Sequence, residues 1–262
     1  MKLNVSLGQM DVALGRTEEN LDKVRAMTGE ARRRGSQLVV FPELWSTGYD
    51  LERASEHATP VDQGLFAETA ALARQESIHI LGSLLEETPH GTRNTAVIFS
   101  PDGRLLGQYS KVHLFRPMRE DVYLVPGVDA PVFELPWGRS ALAICYDLRF
   151  PELFRKYALG GAVVVFLVAE WPRPRLSHWQ TLLAARAIEN QFFVVACNRV
   201  GESPGWSFFG HSAVHDPSGE LVAGAADEET LVTATIDLDM VDQVRRSMTV
   251  FEDRRDEVYR QY

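Results

Sequence analysis

Cysteine is scarce in this 262-residue chain, which carries Cys145 and Cys197 and no other. Two thiols cannot build the disulfide framework that staples small secreted proteins, so a reducing compartment, the cytoplasm, is the expected location. Long apolar runs are lacking as well. Ala162–Ala169 is too short to span a bilayer and reads as a buried strand. The opening segment Met1–Val12 has no apolar stretch of signal-peptide length, so no membrane association is expected. Nor is there a basic stripe. Net charge is −9 with the acidic residues dispersed, and the cluster Arg32-Arg33-Arg34 closes a predicted helix, where cations complement the helix dipole. Phosphate backbones need clustered Lys and Arg, so nucleic acid is set aside as a partner. No repeat and no Gly, Ser or Pro-rich linker divides the chain, and residues 1–262 are read as one domain.

What is present is a chain with 45% hydrophobic and 24% charged residues, enough to bury a large core without cross-links. Strand and helix patterns alternate along it. Val5–Met10, Gln37–Phe41, His79–Leu84 and Thr95–Phe99 read as strands, and Glu18–Arg34 and Leu65–Gln75 as helices. Pro101-Asp102-Gly103 is turn chemistry between Ile98-Phe99 and Leu105–Tyr109, which predicts a hairpin. Further on, Ala141–Cys145, Ala162–Val168 and Phe192–Cys197 read as strands, and Pro151–Leu159 and Leu176–Asn190 as helices. A second hairpin is predicted around Asp216-Pro217-Ser218-Gly219, and Thr233–Ile236 closes the sheets. Hairpins mixed with crossover helices predict an α/β fold with mixed sheets; the pattern does not give the number of layers.

Three residues sit at strand ends, where such folds place their chemistry. Cys145 follows Ala141–Ile144 and precedes a Pro-initiated helix, a strand–turn–helix junction that lifts a nucleophile and leaves backbone N–H groups free beside it. A buried structural cysteine fits that position equally well. Cys197, inside an apolar run, reads as core. Glu43 ends Val39-Val40-Phe41-Pro42, and Lys111 ends Gln108-Tyr109-Ser110; either one alone reads as a solvated rim charge. Glu120, a little after Lys111, is unremarkable by itself.

Together, Phe41-Pro42-Glu43, Tyr109–Phe115 and Ile144–Glu152 resemble the three signature regions of the nitrilase superfamily, in order and at fitting intervals. Asn94, Pro126-Gly127, Ala185–Asn190 and Gly210-His211-Ser212 extend the likeness over nearly the whole chain. Leu44–Asp50, His113-Leu114-Phe115 with Glu120, and Ala169-Glu170-Trp171-Pro172 are similar to the omega-amidase branch, notably bacterial enzymes of methionine salvage that act on 2-oxo acid amides. The resemblance implies a four-layer α-β-β-α sandwich with two mixed β-sheets. It also implies a homodimer, with 237–262 as a tail packing at the subunit interface.

It further implies a Glu43–Lys111–Cys145 triad that hydrolyses a small carboxamide to carboxylate and ammonia through a thioester. Glu43 acts as base and then acid, Lys111 and the Tyr146 N–H hold the oxyanion, and Glu120 orients substrate or Glu43 rather than reacting. No metal or other cofactor is called for. His211 and His215 have four-residue spacing, but on strand and turn rather than a helix. A Cys–His pair using His113 as base would leave Glu43 and Lys111 without roles. For a 2-oxo dicarboxylic acid monoamide the distal carboxylate needs a cation. Arg116 and Arg173 are the candidates, each just beyond a motif segment, with Tyr49, Glu170 and Trp171 as further substrate-binding positions. Rival readings are a carbamoylase or another short-chain amidase or nitrilase with the same cluster, and an idle member that binds a small amide.

Overall fold

In the computed structural model, which describes residues 1–259, the first half of the chain forms β1 (Lys2–Gln9), α1 (Thr17–Arg33), β2 (Leu38–Val40), α2 (Ala54–His57), α3 (Gly64–Glu76), β3 (His79–Thr88), β4 (Gly91–Phe99) and β5 (Leu105–Ser110). There follow α4 (Glu120–Tyr123), β6 (Val132–Leu135), β7 (Gly138–Ile144), α5 (Pro151–Leu159), β8 (Val164–Ala169), α6 (Leu176–Asn190) and β9 (Phe193–Asn198). The chain closes with β10 (Val200–Ser203), β11 (Trp206–Phe209), β12 (Ala213–His215), β13 (Leu221–Gly224), β14 (Thr230–Asp237), α7 (Asp239–Ser247) and α8 (Asp256–Tyr259).

Two six-stranded sheets result, in the orders β14-β1-β2-β3-β4-β5 and β13-β12-β9-β8-β7-β6. Each has a parallel centre and antiparallel edges. β1, β2 and β3 run parallel, as do β7, β8 and β9, while hairpins or long returns add the outer strands. Side-chain alternation stacks the layers. Leu38 and Val40 of β2 belong to the large apolar cluster shared with Leu142, Ile144 and Val165 of the other sheet. Val39, between them, faces Leu21 and Val24 of α1 and Phe66 of α3. On the far side Phe154 of α5 and Trp179 and Leu183 of α6 join the cluster of the second sheet. The order is therefore helix, sheet, sheet, helix, the sandwich expected from the resemblance. β8 is buried along its whole length, as its unbroken apolar sequence requires of a strand covered on both faces.

Expected element boundaries and observed ones differ by a few residues, and α5 and α6 coincide. Several elements had no counterpart in the sequence reading: the short helices α2, α4 and α8, the edge strand β6, the β10–β11 hairpin and α7. The expected tail is partly engaged with its own chain. Val241 of α7 is fully buried, Arg245 donates to the Ala162 carbonyl at 2.9 Å, and Phe251 lies between the guanidinium groups of Arg155 and Arg245. Positions 260–262 of that tail lie outside the described residues. Among the described residues no helix is long and apolar enough to cross a membrane.

Candidate active site

Pro42 has no N–H to continue the ladder of β2, and the chain turns there, with Leu44 at φ 41° and its N–H on Ser83 Oγ at 2.9 Å. Glu43 is thereby turned inward and is fully buried. Its Oε1 accepts from Asn94 Nδ2 and Lys111 Nζ, each at 2.7 Å, and its Oε2 accepts the Glu170 N–H at 2.9 Å. A buried carboxylate persists only with such donors.

Lys111 follows β5. Its backbone bonds Asn94 O at 2.9 Å and accepts from Gly127 N at 2.8 Å. Gly127 is required there: a Cβ would lie 2.1 Å from the Ser110 carbonyl oxygen. All three ammonium hydrogens of Lys111 are used, on Glu43 at 2.7 Å, Glu120 at 2.5 Å and Tyr49 Oη at 3.2 Å. The single Tyr49 hydroxyl proton lies between Glu120 Oε1 at 2.5 Å and Glu43 Oε1 at 2.8 Å. Glu120, at the start of α4, uses Oε2 to accept the Phe115 N–H at 2.5 Å.

The nucleophile candidate comes from the other sheet. Cys145 leaves β7 with φ +48°, a left-handed conformation that a side-chain-bearing residue adopts only when its surroundings enforce it. Asp147 supplies the enforcement. Its carboxylate accepts from Ile144 N at 2.9 Å, Tyr109 Oη at 2.7 Å, His113 Nδ1 at 2.7 Å and His113 N at 3.2 Å. Cys145 opens a short 3₁₀ turn running to Arg149, so the Tyr146 N–H, in its first turn, has no acceptor within that turn. His113 is committed to Asp147 and its ring stacks on Phe150 with centroids 3.6 Å apart, which disfavours the Cys–His reading.

Charge is balanced tightly. Burial works against the Lys111 ammonium, but Glu120 and Glu43 outweigh it and hold its pKa above the ordinary lysine range. Burial pushes the Glu120 carboxyl up, against the pull of Lys111. The Cys145 thiol is pushed well up, first by burial and then by Glu43, with Lys111 opposing. At rest the sulfur is therefore a thiol and needs a base when it attacks.

The other expected positions divide. Tyr49 is part of the cluster and also lines a cavity of about 210 Å³ with Met118, Arg119, Trp206 and Phe208. Glu170 lies behind Glu43, fully buried, with Oε2 on Arg199 Nη1 at 3.2 Å and Oε1 unpartnered. Burial, with repulsion from Glu43 and only partial relief from Arg199, pushes its pKa up to about 8. Trp171 is buried beside Trp179, with the Arg149 guanidinium 4.9 Å above its ring. Arg116 and Arg173 are not brought to the cluster. The Arg116 side chain is 86% exposed and faces Asp121, and Arg173 reaches out to Asp227 at 3.2 Å. Each lies close to a motif in sequence, but its loop turns the side chain outward. Asn94, Asp147 and Arg199 carry much of the geometry, yet the sequence reading gave none of them a role. The signals were Asn94 among the family matches and Asp147 within the third signature segment.

Residues 4–246 match the family model described as carbon-nitrogen hydrolase. The chain is 41% identical over 260 residues to a Bacillus subtilis protein named 2-oxoglutaramate amidase, covering 99% of this chain and 100% of that one. A CN-hydrolase superfamily protein from Xanthomonas campestris, solved with an arsenic adduct in its active site, aligns with a TM-score of 0.91 at 32% identity, covering 97% of this chain and 98% of that one. A variant amidase from Nesterenkonia sp. AN1, with the acetamide moiety of fluoroacetamide added covalently at its active-site cysteine, aligns at 0.87 with 28% identity, covering 99% and 96%.

Proposed function

This chain belongs to the carbon-nitrogen hydrolase family and acts on amide C–N bonds, and from that premise we propose that it hydrolyses the terminal carboxamide of a small 2-oxo acid amide through a thioester on Cys145. The observation that carries the reading is the Glu43 carboxylate, held by Asn94, Lys111 and the Glu170 N–H beside a thiol that burial keeps protonated. The substrate class is supported by the likeness to the 2-oxoglutaramate amidase of Bacillus subtilis.

Glu43 takes the thiol proton as sulfur attacks the amide carbon, and the carbonyl becomes an oxyanion. The Lys111 bond to Tyr49 is the longest of its three, so it is the one exchanged for that oxygen. The Tyr146 N–H is the second donor; each such donor commonly supplies about 3–4 kcal/mol. The oxyanion collapses, the C–N bond breaks, and Glu43 returns its proton to the departing nitrogen, releasing ammonia. Glu43 then deprotonates water, which attacks the thioester; the acid leaves and sulfur recovers its proton. Glu120 keeps its bond to Lys111, and Tyr49 its bond to Glu43, throughout.

The test is ammonia release from 2-oxoglutaramate, glutamine, a neutral aliphatic amide and an N-carbamoyl amino acid, by wild type and Cys145→Ala. Preferred turnover of the oxo acid amide that vanishes in Cys145→Ala is the expected result. Cys145-dependent turnover of another compound alone discards the substrate, and turnover surviving in Cys145→Ala discards the mechanism.

A further inference from the structure

An acidic amide needs a cation at the far end of its site, and the arginines around this one are mostly occupied. Arg199, itself buried, is paired with buried Glu170 and with half-exposed Asp11. Arg173 reaches Asp227, Arg116 faces Asp121, and Arg119 lies over the Tyr123 ring and faces Glu52. Arg149 bonds His178 Nδ1 at 3.3 Å over the Trp171 ring.

Arg175 differs from all of these. Among the described residues it makes no ion pair, and its Nη1 is buried without a hydrogen-bond partner. A guanidinium N–H shut away from water and left unsatisfied is costly, and a ligand oxygen removes that cost. Its position is fixed from both sides. The backbone of its segment is tied down by Arg175 N on Pro172 O at 3.3 Å and Arg173 N on Ser207 O at 2.9 Å. The guanidinium then crosses to lie 5.5 Å above the Phe115 ring. Phe115 donates its N–H to Glu120, and its ring is 5.0 Å from that of Tyr146, the residue after Cys145. One aromatic ring thus separates Arg175 from the nucleophile's neighbour.

We propose that Arg175 binds the distal carboxylate of an acidic amide substrate and so sets the preference for anionic over neutral amides. This deepens the proposed function and rests on it. Arginine suits the task because its planar fork holds a carboxylate through two N–H groups, where lysine offers a point charge.

The experiment compares Arg175→Gln, Arg175→Lys and Arg173→Gln with wild type on 2-oxoglutaramate, on an N-carbamoyl amino acid and on butyramide. Arg175→Gln should raise KM for the acidic substrate about 10–100-fold, with kcat reduced less, and leave butyramide within about threefold. Arg175→Lys should recover part of the loss, and Arg173→Gln should match wild type on every compound. An equal loss on acidic and neutral substrates, or an equal effect of Arg173→Gln, overturns the assignment. If wild type prefers the carbamoyl compound and Arg175→Gln selectively raises its KM, the carboxylate assignment stands and the oxo acid substrate is discarded. If wild type prefers butyramide, both fall.

Discussion

Glu120→Gln looks conservative, and the structure says it is not. The carboxylate accepts at both oxygens, from Tyr49 Oη and Lys111 Nζ at Oε1 and from the Phe115 N–H at Oε2, every distance being 2.5 Å. Glutamine has one acceptor oxygen. If that oxygen keeps Tyr49 and Lys111, the amide NH₂ meets the Phe115 N–H, donor against donor; if it keeps Phe115, the NH₂ meets the Lys111 ammonium. Hydrogen bonds to charged groups contribute about 1.5–3 kcal/mol each, and a stranded buried donor costs about 1–3 kcal/mol. Against this, the variant no longer buries a carboxylate whose ionisation is already opposed by its surroundings. The net expectation is a loss of about 2–3 kcal/mol of stability. Displacing Phe115 and loosening Lys111 should also lower kcat about 100-fold while KM changes little, because Glu120 acts through the residues it holds. Urea denaturation and steady-state ammonia release measure the two effects. A variant within about 0.5 kcal/mol of wild type and within about threefold in kcat would show that Glu120 is not constrained as described.

Gly127→Ala drives a methyl group against the Ser110 carbonyl oxygen and shifts the N–H that holds the Lys111 carbonyl. It should destabilise by about 3 kcal/mol or more and lower activity with it; an unchanged melting temperature would refute the close approach. Glu170 gives a pH effect. With its folded pKa pushed up to about 8 from 4.5, the native chain keeps a proton that the unfolded chain releases. Its contribution is full below about 4.5 and is lost as pH rises through about 8. Glu170→Gln should flatten that decline in urea midpoint across the window; an identical pH slope in variant and wild type would reject the assignment.

Legibility followed how local each signal was. β8 and α5 were plain because six apolar residues in a row and a Pro-initiated helix need no distant partner to be recognised. β10 and β11 were not, since Val200-Gly201-Glu202-Ser203 and the Pro204-Gly205 turn carry loop composition and are ordered by pairing with each other. α7 has a strongly charged sequence in which Val241 is the one fully buried residue, so its packing is invisible before the core it joins is known. At the site, the motifs pointed to Glu43, Lys111 and Cys145. The residues that aim them work across long separations: Asp147 reaches back to Tyr109, and Glu43 meets an N–H 127 positions away. Arg199 reads as a surface charge because the burial that makes it unusual is matched by Glu170, 29 residues earlier. Sequence proximity to a motif does not bring Arg116 and Arg173 to the cluster, since the direction of a loop side chain is set by the course of the loop.

Glu43, Asn94 and Lys111 belong to one sheet, and Cys145 and Glu170 to the other, and the 2.9 Å bond from the Glu170 N–H to Glu43 crosses between them. The apolar interlayer therefore works as a gauge that sets the spacing between base and nucleophile. A slip of about 1 Å between the layers would be survivable for the fold but could slow the chemistry about 100-fold. Substitutions at Leu38 or Val165, interlayer residues that take no part in the chemistry, should then register as kinetic defects before they register as unfolding, so turnover is the more sensitive reporter of how the two layers fit.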